Sequence, residues 1–268
     1  MRDLIEQIKK TVVFLGRLDE QQRPELIATG FLISIETVFH LVTAKHVVVN
    51  PKTGKPTVEG LCVFFNLKSG GIGHRKLDDI KRRWNVQWLL HQRSDVDVAM
   101  IPFGLDPKQD DVLTIPENLF LSIDQVYELY DIFFLSYQPG LQAINRITPV
   151  VRNGSVSIVN EDKSLYIDGA AFPGNSGSPV FLKPSPIRFD KRSITIGNDP
   201  LGGKFIGIIG EYLPYQEVAV SVQTGRPRVV FEENTGLSRV WSADLVRGIM
   251  GSPVARKQLQ KLKRLEKS

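Results

Sequence analysis

The sequence predicts an all-β fold, an antiparallel barrel or sandwich. Short runs of Val, Ile, Leu, Phe and Thr recur from Thr11 to Trp241, and Gly, Pro, Asn and Asp stand between them. β-Branched and aromatic residues suit a pleated, half-buried surface, and Gly, Pro and Asn supply turn geometry. Runs this closely spaced therefore read as strands joined by short connections. With 268 residues the chain can hold one large domain or two small ones. At 42% hydrophobic and 24% charged residues it is an ordinary globular protein, which excludes a disordered chain.

In chain order, residues 1–10 alternate charged with apolar side chains and read as a short amphipathic helix. They lack the continuous apolar core and small-residue cleavage site of a secretory signal. Strands are expected at 11–15, 26–34 and 38–44, with a polar turn at 18–24, and then at 61–67, 86–90 and 96–103. The polar, Asp- and Pro-containing stretch 104–118 reads as the connection between two halves. Strands resume at 126–129, 131–136, 147–151, 155–159, 165–167 and 180–182, and again at 205–209, 219–222, 229–231 and 237–241. Residues 242–250 read as a helix capped by Ser242, docked through Leu245, Ile249 and Met250, and stopped by Gly251 and Pro253.

No run approaches the roughly 18 apolar residues of a membrane span. Cys62 is the single cysteine, so no internal disulfide can form, and its apolar neighbours make it a buried core thiol. The missing signal and missing disulfides point to the cytoplasm. The net charge of +5 is local: residues 256–268 hold six basic side chains against Glu266. Leu259, Leu262 and Leu265, three apart among them, make a weak amphipathic helix. The basicity belongs to a tail and not to a groove across the fold, so nucleic acid is not an expected partner beyond non-specific contact with that tail. No metal-ligand cluster or phosphate loop is evident, and no cofactor is expected.

Chemistry concentrates at Phe172-Pro173-Gly174-Asn175-Ser176-Gly177-Ser178-Pro179. A serine among glycines sets a hydroxyl beside converging backbone N–H groups, which is what acyl transfer needs. The plain alternative is an ordinary β-turn. A base and an acid decide between them. His46, at the end of strand 38–44, is held by a rigid element yet reachable. His40 lies earlier in that strand, His74 in a Gly-rich loop, and His91 after an apolar strand end. Asp97 abuts the apolar run 98–101, where a carboxylate is desolvated and still meets an imidazole. Asp95, two residues before it, sits further out. Both also suit a turn before a strand.

Thr43-Ala44-Lys45-His46, Asp97-Val98-Ala99-Met100 and Gly174-Asn175-Ser176-Gly177-Ser178-Pro179 together resemble the trypsin/chymotrypsin-fold serine proteases. The nearest likeness is to bacterial trypsin-like peptidase domains of the Deg, or high-temperature-requirement, type. The order His, Asp, Ser is that of chymotrypsin. The likeness runs from about Thr11 to Met250. It implies two antiparallel six-stranded Greek-key β-barrels with the active site between them. Residues 11–108 would form the first barrel, 109–125 the connection, 126–241 the second barrel, and 242–268 a C-terminal helix and tail.

The resemblance also implies roles. His46, Asp97 and Ser176 would be catalytic, and the backbone N–H groups of Gly174 and Ser176 would form the oxyanion hole. Ala170 and Ala171 would line the specificity pocket, with Gly210 and Gly236 on other walls. Ile209-Gly210-Glu211 would offer an edge to an extended substrate. With no acid in the pocket, a small or medium apolar residue is expected before the scissile bond. Asn175 stands where digestive members have an aspartate that pairs with a cleaved N-terminus, so that trigger is not expected. Deg proteins usually carry a PDZ domain, for which the 18 residues after Met250 are too few. The expected function is an intracellular serine endopeptidase acting on a protein or peptide substrate, with an activating protein as a further partner. The alternative is a catalytically latent binding or scaffold protein on the same fold.

Overall fold

The computed structural model describes residues 2–141, 146–189, 194–197 and 199–265. As the sequence predicts, the chain is all-β in two units. Helix α1 (Arg2–Lys9) leads into β1 (Val12–Leu18), β2 (Pro24–Ile35) and β3 (Val38–Thr43). A single turn, α2 (Lys45–Val48), precedes β4 (Cys62–Asn66), β5 (Ile72–Lys76) and helix α3 (Leu77–Trp84). The unit continues with β6 (Leu89–Leu90), β7 (Ala99–Pro102) and β8 (Ile115–Pro116). Its ladder runs β5-β4-β1-β2-β3-β7-β6, with β8 beside β2, giving eight strands in a path that does not close on itself. All pairs are antiparallel except β2 with β8.

The second unit does close. It contains β9 (Asp131–Ser136), β10 (Val150–Val159), β11 (Ser164–Asp168), β12 (Pro179–Leu182), a small hairpin β13 (Ile187–Phe189) and β14 (Ile194–Ile196), then β15 (Phe205–Val220) and β16 (Pro227–Ser242). The barrel order is β10-β11-β16-β15-β12-β9. Helices α4 (Ala243–Met250) and α5 (Pro253–Leu265) end the described chain.

Period-two alternation explains how the units meet. On β1 and β2, Val13, Leu15 and Leu32 face one core, while Val12, Phe14, Phe31 and Ile33 face another. The first core lies under α3 and α5. The second is shared with the other unit through Phe133, Phe181, Phe205 and Trp241. Phe31 and Phe205 meet across the boundary at 5.3 Å between ring centroids. A third core, with Ile132, Phe134, Val156, Ile167 and Val180, fills the closed barrel. The two units are thus joined by buried aromatic side chains.

Several elements differ from the sequence expectation. Residues 77–84 form a helix because Leu77 and Ile80, three apart, bury one side of an otherwise charged segment. Residues 126–129 form no strand: Leu129 has φ +66°, which breaks an extended run. The expected strands 147–151 and 155–159 are one, β10. Ser242 precedes α4 without a side-chain capping bond. Asp244 instead ties the start of α4 to the distant turn at 122–125, accepting from Ser122 Oγ and Ile123 N at 3.1 and 3.0 Å. Cys62 is buried as expected, and burial raises its thiol pKa. The basic tail is a docked helix. Leu259 and Leu262 are buried, and Lys263 pairs with Glu36 at 2.6 Å.

Candidate active site

β3 and β7 pair with Thr43 opposite Ala99, so the residues just beyond these two positions lie side by side. His46 sits in α2, which follows β3, and Asp97 lies two residues before β7. One carboxylate oxygen of Asp97 accepts from the His46 backbone N–H at 2.8 Å, and the other meets His46 Nδ1 at 2.6 Å. The backbone bond fixes the carboxylate, and the carboxylate fixes the ring. This assigns the proton to Nδ1 and leaves Nε2 free as the basic nitrogen. The hydrogen bond that His46 donates to Asp97 raises the His46 pKa, burial opposes it, and the charges of Asp97 and Glu211 add to the rise.

The competing residues separate clearly. His40 is buried, and burial pushes its pKa down to about 4. His74 lies on β5, away from any acid partner among the described residues. His91 Nδ1 accepts from Arg93 N at 3.1 Å. Asp95 is exposed and pairs with Arg93 at 2.6 Å, which lowers its pKa.

The serine turn is built by backbone conformation and by reach from the other unit. Asn175 N–H bonds back to Phe172 O at 2.9 Å, Pro173 takes the second position and Gly174 the third with φ +94°. This is the pattern of a type II turn. The Asn175 side chain, fully buried, accepts from Phe172 N at 3.0 Å and donates to Tyr137 O at 2.6 Å. Thr29, on β2, donates its hydroxyl to Gly174 O at 2.8 Å and its N–H to Ser176 O at 3.2 Å. Gly177 has φ +88°, and a Cβ there would stand 2.1 Å from Thr29 O. The N–H groups of Gly174 and Ser176 donate to no acceptor among the described residues. Ser178, the rival hydroxyl, is fully buried just before β12 and does not line the cleft that holds Ser176.

His46, Asp97 and Ser176 line one cleft of about 510 Å³. Of the expected substrate-binding residues, Ala171, Ile209, Gly210 and Glu211 line it too, while Ala170 and Gly236 do not. No hydrogen bond joins Ser176 to His46, and bonds of this kind commonly tighten only in the substrate complex. Sequence reasoning missed Thr29, Tyr137, Arg239 and Trp241. The Trp241 indole lies beneath Gly210, where a Cβ would approach its Nε1 to 2.6 Å. The Arg239 guanidinium stacks 4.1 Å above Trp241 and pairs with Asp162 at 2.9 Å. The pairing of β16 with β15 brings them to the cleft, and no local sequence signal marks it.

Residues 28–185 match the family described as the trypsin-like peptidase domain, a span that includes His46, Asp97 and Ser176. The chain belongs to that family. Among solved structures, this trypsin-like peptidase domain is similar to a serine endoprotease from Yersinia pestis, with TM-score 0.52 and 14% identity over 95% of this chain and 66% of that one. It is also similar to Deg5, with TM-score 0.51 and 13% identity over 78% of this chain and 83% of that one. At these identities the likeness is one of fold. The chain thus spans just under two thirds of the Yersinia protein's length. No curated protein matches the sequence. Among the described residues no helix of this domain is long and apolar enough to cross a membrane, and no group of acidic, His or Cys side chains is placed to hold a metal ion.

Proposed function

We propose that this trypsin-like peptidase domain is a serine endopeptidase that works through an acyl-enzyme on Ser176. The observation that carries the reading is the doubly bonded His46–Asp97 pair facing the same cleft as Ser176. Ser176 Oγ attacks the scissile carbonyl carbon while His46 Nε2 takes its proton. The resulting imidazolium is stabilised by Asp97, and His46 then protonates the leaving amine. Water deacylates the ester by the same proton path in reverse. The unengaged N–H groups of Gly174 and Ser176 receive the oxyanion, and one such donor is worth about 3 kcal/mol of barrier.

Gly210 and Glu211 fall in the break of register between β15 and β16, so their backbone groups are available to an extended substrate. Ala171, Gly210 and the underlying indole of Trp241 make an apolar wall, which supports a small or medium apolar side chain before the scissile bond. A cytoplasmic setting is supported by the single, buried cysteine. A latent binding protein is the second reading, and the missing Ser176–His46 hydrogen bond favours it. A fluorophosphonate probe separates the two. We expect labelling of the wild type that disappears in Ser176→Ala. An unlabelled wild type, with or without added protein substrate, selects the binding reading.

A further inference from the structure

Beyond the barrel, β15 and β16 continue as a two-stranded ribbon. Pairing runs from Pro214 opposite Asn234 to Val220 opposite Pro227. β12 pairs β15 only over Phe205–Ile208, and β11 pairs β16 only over Leu237–Trp241. Among the described residues, no strand therefore pairs with either outer edge of the ribbon. An isolated two-stranded ribbon is at best marginally stable in water, and an unpaired edge is a template for another strand. The ribbon is also apolar: Tyr215, Val218, Val220, Val229, Val230 and Phe231 are each 50% or more exposed. Single exposed apolar residues are ordinary, but a contiguous group on a free sheet edge marks an interaction surface.

The two edges differ in chemistry. The β15 edge carries Pro214, which lacks a donor, and its charges, Glu211 and Glu217, are all acidic. Two copies of it would repel. The β16 edge has Arg228 at one end and Glu232 and Glu233 at the other, with Val229, Val230 and Phe231 between. Arg228 and Glu233 form no ion pair with any described residue. Such a strand is complementary to itself when reversed.

We propose that the β16 edge, near Val230, binds a second copy of this chain, joining two ribbons into one four-stranded antiparallel sheet. Side chains opposite one another across such a pair share a face, so a two-fold axis perpendicular to the sheet passes through a residue position. With the axis at Val230, Val230 faces its own mate, Val229 faces Phe231, and Arg228 faces Glu232. Moving the axis one residue either way sets Val230 against Arg228 or Glu232. The register is thereby specified by charge as well as by burial. The interface is isologous and closed, and it consumes both β16 edges.

Sedimentation of the full chain tests this, independently of any peptidase activity. The wild type is expected to be a dimer and Val230→Glu a monomer with unchanged thermal melting, because two like charges would meet on the axis. Arg228→Glu weakens the dimer at least about tenfold, and adding Glu232→Arg restores it. Val230→Cys cross-links under diamide, since facing Cα atoms in such a pair lie within disulfide reach. Val218→Cys, opposite Val230 on the inner strand, does not. A monomeric wild type, a dimer that survives Val230→Glu, or cross-linking at 218 in place of 230 would each overturn the proposal.

Discussion

His46 and Asp97 stand on one unit and Ser176 on the other, and the two groups are held in different ways. The first pair is local. Adjacent strand ends bring the residues together, and both Asp97 oxygens bond to His46 itself. The serine turn is not self-sufficient. Its Gly174 and Ser176 carbonyls are held by Thr29 of the first unit, and Gly177 packs against the same residue. The His46–Asp97 pair is thus an internal property of one sheet, whereas the placing of Ser176 is a property of the contact between two. Damage to the first group is expected to change chemistry at constant stability. Damage to the second is expected to change both.

The largest effect is predicted for Asp97→Asn. The carboxamide reverses the proton preference at Nδ1, and kcat falls by about 10⁴ with little change in melting temperature. The pH profile sharpens this. The neutral imidazole takes the serine proton, so activity climbs as pH rises through a His46 value held above 6.5, and the limb moves down when Asp97 is lost. For stability the sign is opposite. Because the folded value is raised, the contribution is complete below about 6.5 and disappears as pH rises through the folded value. A rate profile that stays put in Asp97→Asn breaks the local half of the comparison.

A smaller loss of activity, joined to a loss of stability, is predicted for Gly177→Ala. Its φ of +88° and the contact with Thr29 O leave no room for a Cβ. Strain and overpacking together cost about 3–5 kcal/mol, read by urea denaturation, and displacement of the turn lowers kcat/KM by about 10². The mildest change is Thr29→Val, which removes the donor to Gly174 O and the acceptor of Tyr137 N. We expect a stability loss of about 1–3 kcal/mol with roughly tenfold weaker hydrolysis. If Thr29→Val lowered activity at unchanged stability, the turn would be less dependent on the first unit than the contacts imply.

The same distinction separates what the sequence made legible from what it did not. His46 and Asp97 were readable because each is marked by its own neighbours, a strand end and an apolar run. Ser176 was readable from its glycines. Thr29 was not, since its partners lie 145 residues along the chain at Gly174 and 108 at Tyr137. Trp241 was placed on a strand, but which strand it would face depends on barrel closure. The apolar pattern marks only two short strands of the ribbon, 219–222 and 229–231, because Glu, Gln and Pro interrupt it. Cross-strand pairing, which no window of sequence contains, makes these fragments continuous.

Helix α5 adds a matter of timing. Leu259 and Leu262 complete a core whose other buried members lie between Val13 and Phe103. Roughly 160 residues separate Phe103 from Leu262, and a ribosome adding about 5–20 residues per second needs some 8–32 s to cross that interval. The sheet that presents His46 and Asp97 is thus made early and finished late. During synthesis its α5-facing side lacks the cover of Leu259 and Leu262 until helix α5 has been made.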